Sequence, residues 1–470
     1  MKISQTIRVL FVTGAVMFTS HASLQAADMR FLKLQLSLGA TPPAQHTAPP
    51  ATDLLTVYQD ALAQDAQYAA ARAAHRAGLE KLPQGRAGLL PSVSLSANTN
   101  HNQRDFSFRN GVGGSNSKFN SHGYTVSASQ PLYNSQNFAG YAQGKLLAIQ
   151  AEAQFASVSQ DLIVRVAQAY FDVLLAQDNV DLARAQKTAI AEQLEQAKRN
   201  FEVGTATITD THEAQARFDL VTSQEIAATS DLEIKRQSLQ IITGKTPEML
   251  KPVSDKLALA PLEPNDISRW VEKAQEKNLQ IAIALATFEI AGREVDRNIG
   301  GHLPILDLVA SYSDSGQGSG FQGGVGTDTA TKVIGLQLTL PIFQGGGQQS
   351  RVREAYALKD KAAHDLETTK RNAALATRQA FLGVTNGRAQ VRALEQALIS
   401  TQSQLDSTKL GQEVGVRTGV DVLNAQQLLY SARRDLAQAR YNFLIARLQL
   451  EAAAGDLDEE DLKQINGALQ

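Results

Sequence analysis

The sequence predicts an α+β membrane protein built as a tandem structural repeat, in which a β-barrel continues into a long α-helical coiled-coil bundle. Three observations predict it. The chain repeats itself with a period of about 210 residues. Each copy contains one uninterrupted helical stretch near sixty residues long, roughly 90 Å at 1.5 Å per residue. Each copy also contains two segments in which apolar and polar residues alternate, of about the nine to eleven residues that cross a bilayer as strands.

The repeat is legible at widely spaced positions. Leu90-Pro91 recurs as Leu303-Pro304, Pro131-Leu132-Tyr133 as Pro341-Ile342-Phe343, Val203-Gly204 as Val414-Gly415, and Asp210 as Asp421. Chance does not keep register over so many sites. Each copy reads helix, strand, Gly-rich loop, strand, very long helix, short turn, helix, with copies spanning 52–264 and 265–456. Lys145 to Val203 contains neither Gly nor Pro, and Leu162, Val166, Tyr170, Val173 and Val180 recur at helical spacing. Gln348 to Leu410 has a similar pattern despite Gly383 and Gly387, with Val384, Val391, Leu394, Leu398 and Leu405 near a 3.5-residue period. Shorter helices are expected over 53–86, 207–243, 266–299 and 419–454, two of which laid end to end match one long helix. Turns at Gly204 and Gly415 reverse each long helix beside its shorter successor, so both turns share one end of the bundle.

Val93, Leu95 and Ala97 alternate with Ser92, Ser94 and Ser96, and Tyr124, Val126 and Ala128 with Thr125, Ser127 and Ser129. The second copy repeats this with Leu306, Leu308, Ala310 and Tyr312, then Ile334, Leu336, Leu338 and Leu340. A soluble sandwich shows similar alternation. Four strands, however, cannot close a cylinder, since the smallest membrane barrels use about eight. Protomers must pool them.

Residues 1–22 open with Lys2 and Arg8, run through apolar Val9 to Phe18 and reach Ser20-His21-Ala22, the pattern of a secretory signal. Cleavage after Ala22 is favoured over Ala26 or Ala27, which place a large residue three positions before the cut. Residues 23–51 form a Pro-rich linker and 457–470 an acidic C-terminal tail. No cysteine is present, which removes disulfides and lipoprotein acylation. A net charge of -2 carries no nucleic-acid footprint.

Enzymatic constellations are missing. The eight histidines are scattered and His212-Glu213 lacks a second His at metal spacing, so neither catalysis, a metal nor a cofactor is expected. Gly318 to Gly323 fits G-x-G-x-x-G but opens no helix and reads as a hairpin loop. Thr207 with Asp210, and Thr418 with Asp421, have capping-box spacing. Arg417 is harder to place, because a cation near a helix N-terminus opposes the macrodipole and its first-copy equivalent is Ala206. Asp210, at the same height on the other copy, is the acidic partner that resolves the conflict.

At Val-Gly-x-x-x-Ile-Thr-Asp (203–210) and Val-Gly-Val-Arg-Thr-Gly-Val-Asp-Val-Leu-Asn-Ala-Gln (414–426) the chain resembles the TolC family of outer-membrane channels. The resemblance runs from about residue 53 to 455 and includes Ala439 to Leu444. It implies a homotrimer with a twelve-stranded barrel, a periplasmic helical tunnel and an iris-like tip. It further implies a passive exit duct for type I protein secretion or drug efflux, partnered by a periplasmic adaptor and an inner-membrane ABC or RND pump. By that likeness Thr209, Asp210, Arg417, Asp421 and Asn424 form the periplasmic gate. Val203, Gly204, Thr205, Val414, Gly415 and Val416 form the adaptor-docking turns. Gln412 and Asn424 depart from the family, which has a tyrosine and an aspartate there. The rival reading is a non-conducting trimeric coiled-coil spacer or adhesin stalk. Symmetry-related Asp421 carboxylates converging on one axis would raise one another's pKa.

Overall fold

The structure, a computed structural model, describes residues 51–469 apart from 108, 110–112, 247–248, 255–258, 260 and 320–324. The signal expected at 1–22, nearly all of the linker and part of the Gly318–Gly323 loop lie outside the described residues.

The elements run twice in the same order. The first copy holds α1 (Leu54–Gln64), α2 (Ala66–Leu79), α3 (Lys81–Ala87), β1 (Ser92–Ser107), β2 (Gly114–Tyr133), α4 (Ser135–Glu202) and α5 (Ile208–Thr243). The second holds α6 (Ile267–Lys277), α7 (Leu279–Gly300), β3 (Ile305–Gln317), β4 (Thr327–Thr339), α8 (Gly347–Glu413) and α9 (Gly419–Ala454), followed by α10 (Glu459–Asn466).

Two expected helices are broken. Asp65 interrupts 53–86 at ψ 118, its carboxylate accepting from the Tyr68 N–H at 2.6 Å. Asn278 interrupts 266–299 at ψ 124, its side chain accepting from the N–H groups of Gln280 and Ile281. In both copies a short polar side chain outcompetes the helical backbone and caps a new helix. The first copy breaks again at Glu80. The long first-copy helix also begins earlier than Lys145, at Ser135, despite Gly140 and Gly144. At Gly144 a side chain would collide with the Lys81 carbonyl, so the glycine lets α3 press against α4.

The tail is folded as well. Leu462 and Ile465 of α10 are buried. Asn466 accepts from the Leu55 N–H and donates to Asp53, and Leu469 bridges to Val253.

The helices form a row. α5 and, end to end with it, α1–α3 lie against α4; α9 and, end to end with it, α6–α7 lie between α4 and α8. The main core sits where those helix ends meet, around Leu54, Leu162, Tyr170, Phe171, Leu239, Trp270, Phe443 and Leu448. Tyr170 and Phe171 meet edge to face at 5.6 Å, and Phe171 meets Tyr441 at 5.7 Å. α8 buries a narrow stripe, including Ala355, Ala362, Leu366 and Ala373 and, within the main core, Phe381, Val384 and Val391, with the spacing of a coiled-coil seam.

The sheet is antiparallel in the order β1-β2-β3-β4. Its register places Val93, Ala128, Ala310 and Ile334 in one row, and Leu308 opposite Leu336. The other face carries hydroxyls, with Ser94 bonded to Ser127 at 2.8 Å and Thr125 to Ser313 at 3.0 Å. The strands are 16, 20, 13 and 13 residues long, longer than expected. In β1 and β2 the excess lies beyond Ala97 and before Tyr124, where the sequence turns polar. Aromatic pairs flank the apolar band, Tyr124 with Tyr312 on one side and Tyr133 with Phe138 on the other.

Tyr441 tests the core. Burial, and after it the Asp178 carboxylate, hold its phenol far above the usual range, so it stays protonated and donates to Asp178 at 2.7 Å. Tyr441→Phe removes that donor from a half-buried carboxylate and should lower the urea-unfolding free energy by about 1–3 kcal/mol. An unchanged unfolding midpoint would show the bond to be dispensable.

Candidate functional site

Both turns at the far end of the bundle are built alike. After α4 the backbone closes through Gly204 N–H to the Phe201 carbonyl at 3.0 Å and Thr205 N–H to the Asn200 carbonyl at 2.8 Å. After α8, Gly415 N–H reaches the Gln412 carbonyl at 3.0 Å and Val416 N–H the Gly411 carbonyl at 2.9 Å. Gly204 and Gly415 hold φ of 78 and 79, the left-handed region that glycine enters without penalty. The turns leave Val203, Val414 and Val416 protruding, each at least 65% exposed.

The next helices start with true capping boxes. Thr207 accepts from Asp210 N–H at 3.3 Å while Asp210 accepts from Thr207 N–H at 3.0 Å. Thr418 and Asp421 repeat this at 3.2 Å and 2.9 Å. The Thr418 backbone and hydroxyl donors, and then the nearby Arg417, hold the Asp421 carboxyl below its usual range. Within one protomer the shift is therefore opposite to that anticipated from symmetry-related repulsion, because the capping donors dominate. A depressed carboxyl stabilises the fold above its unfolded pKa and loses that contribution as pH falls through the folded value, so the cap is intact at neutral pH.

The residues expected to form a gate are only partly brought together. Arg417 is exposed, and its side-chain stem lies over Gly411, which has no side chain to obstruct it. Among the described residues it forms no ion pair with Asp210, whose carboxylate is taken by Thr207. Thr209 and Asn424 are exposed. Asp210 and Gln412 line one small cleft between the two copies, together with Asn200, Gly419 and Leu423.

A residue missed in the sequence joins the copies. Arg217 of α5 donates to Asn424 of α9 at 2.9 Å and to Gln427 in a short bond. Its signal was a difference between the copies: the offset from Gly204 to Gly415 maps Arg217 onto Leu428.

Residues 57–245 and 270–456 match the Outer membrane efflux protein family. The outer membrane protein TolC of Vibrio cholerae is 35% identical over 421 residues, 89% of this chain and 94% of that protein. The alkaline protease secretion protein AprF of Pseudomonas aeruginosa is 35% identical over 419 residues, 88% of this chain and 87% of that one. Among solved structures, the Campylobacter jejuni CmeC outer membrane channel shares the fold with a TM-score of 0.73 at 18% identity, covering 94% of this chain and 98% of that one. With the duplicated helical row, the four-stranded sheet and the paired tip turns, these matches place the chain in the outer membrane efflux protein family.

Proposed function

We propose that this chain is one protomer of a trimeric exit duct in the outer membrane, serving a tripartite export system as a passive channel. The observation that carries this is the pair of open edges. Among the described residues β1 and β4 have unpaired outer sides, and α5 and α8 stand at opposite ends of the helical row. Apolar side chains remain uncovered there at heptad spacing, Leu220, Ile234 and Ile241 on α5 and Leu375 and Leu382 on α8. Three copies, the number the family resemblance implies, supply a closed twelve-stranded barrel and a closed ring of helices. The apolar sheet face meets lipid and the hydroxyl face lines the lumen. Likeness to AprF favours protein secretion over drug efflux as the cargo.

In the trimer the tip is the gate. Arg417, unpaired with Asp210 inside its own chain, is free to meet Thr209 and Asp210 of the neighbouring protomer, and Asp421 and Asn424 face the axis. The protruding Val203, Val414 and Val416 beside Gly204, Thr205 and Gly415 offer an adaptor hairpin apolar anchors at the bundle end.

Purified protein should form ion-conducting channels in planar bilayers; a stable oligomer without conductance would favour the spacer reading. Leu338→Arg should impair barrel assembly by about 2–4 kcal/mol near the midplane, while Gln337→Arg should assemble normally. Equal tolerance at both sites would remove the membrane strand.

Arg417→Ser or Asp210→Ala should raise single-channel conductance and sensitise cells to large antibiotics. An exposed pair is worth about 1 kcal/mol or less, yet three act on one concerted gate. The double variant should add little to either single. Additive effects would place the closing contacts elsewhere.

At Gly415 an added Cβ meets no atom within 4 Å, so a large side chain has room but carries a left-handed φ. Gly415→Trp should abolish export with assembly intact. Gly415→Ala bears the same strain without the bulk and should export far better; equal export by the two would dissociate the turn from docking.

A further inference from the structure

Glu213 and Arg217 stand four residues apart on one face of α5. The Arg217 guanidinium keeps only a loose ion pair with Glu213, whose nearest carboxylate oxygen is 3.8 Å away, beyond hydrogen-bond distance. It crosses to α9, where Asn424 Oδ1 and Gln427 Oε1 each accept one N–H. Those two residues are three apart, about one helical turn, so their side chains stand side by side and match the planar fork of an arginine. The side chain is 29% exposed, enough to move and little enough for its bonds to count.

The repeat shows what is unusual here. The offset that carries Gly204 onto Gly415 carries Glu213 onto Asn424 and Arg217 onto Leu428. The first copy thus grips the second at the position where it carries its own carboxylate. An amide oxygen accepts without neutralising, so Arg217 keeps its charge one turn behind Asp421.

We propose that Arg217 is a positioning residue of the tip, a latch with two seats. Seated on Asn424 and Gln427, it ties α5 to α9 across the copies and holds the arrangement described above. Seated on Glu213, it stays on α5 and leaves α9 free. Because Glu213 is within a short side-chain movement, parting the helices leaves no stranded charge, and the two states stay close in energy. This rests on the exit-duct reading, but it involves neither Arg417 nor a neighbouring protomer.

Single-channel recordings of the full chain in planar bilayers test it. Arg217→Gln should raise the frequency of openings about fivefold. Arg217→Lys keeps the charge but not the fork and should resemble Arg217→Gln rather than the parent. Asn424→Asp converts the seat to an ion pair and should make openings rarer, and Glu213→Gln, which weakens the other seat, should do the same. Arg217→Gln combined with Asn424→Ala should open no more often than either alone. Should Arg217→Gln fail to assemble, Asn424→Asp decides the matter, since rarer openings are not a consequence of misfolding. Parental gating in Arg217→Lys, or in Asn424→Asp, overturns the latch while leaving the duct in place. Absence of conductance in the parent overturns the duct itself.

Discussion

Four strands have two edges, and hydrocarbon tolerates neither, because water is not available there to satisfy the exposed N–H and C=O groups. The rest of the molecule is arranged around that constraint. α3 leads into β1, β2 into α4, α7 into β3 and β4 into α8. Each strand is thereby continuous with one position of the helical row, and sheet and row share an order running from the first copy at one edge to the second at the other. A single head-to-tail operation that joins β4 of one protomer to β1 of the next also brings α8 beside the α5 and α1–α3 column. One symmetry closes both layers.

Duplication makes that economical and also sets where the copies diverge. The two tip turns superimpose in their backbone bonds and capping boxes, so the backbone supplies a scaffold with approximate twofold repetition. The copies depart from it at Arg417 opposite Ala206, at Asn424 opposite Glu213 and at Arg217 opposite Leu428, the positions on which the proposed gating rests.

What was legible in the sequence was periodic. Heptads in α8, alternation in β4 and the recurrence of Val-Gly-x-x-x-x-x-Asp are local signals, and the structure forms the helix, the strand and the paired turns they predict. The breaks at Asp65 and Asn278 were not legible, because one Asp or Asn within an apolar-periodic stretch looks the same whether it faces solvent or captures the backbone. α10 was hidden for a related reason, since Leu462 and Ile465 are thinly spread through an acidic segment and their burial depends on the distant α1 and α9. Arg417 stood out by its conflict with the helix dipole. Arg217 presents no such conflict two turns further along, and only the geometry of α9 reveals its partners.

The pairing of Asp53 with Asn466 spans 413 positions, nearly the whole described chain. Helical rods form from local contacts and quickly, whereas a contact of that separation must wait for both ends. As the polypeptide emerges in order, α4, α5 and their sheet partners are complete long before α10 exists to cover the α1 side of the core. The mid-height core therefore closes on its α1 side only once α10 has been made. A chain that stops before α10 retains its rods but leaves Leu54 and its neighbours less covered against water and proteases, so the fold itself distinguishes chains that carry α10 from those that lack it.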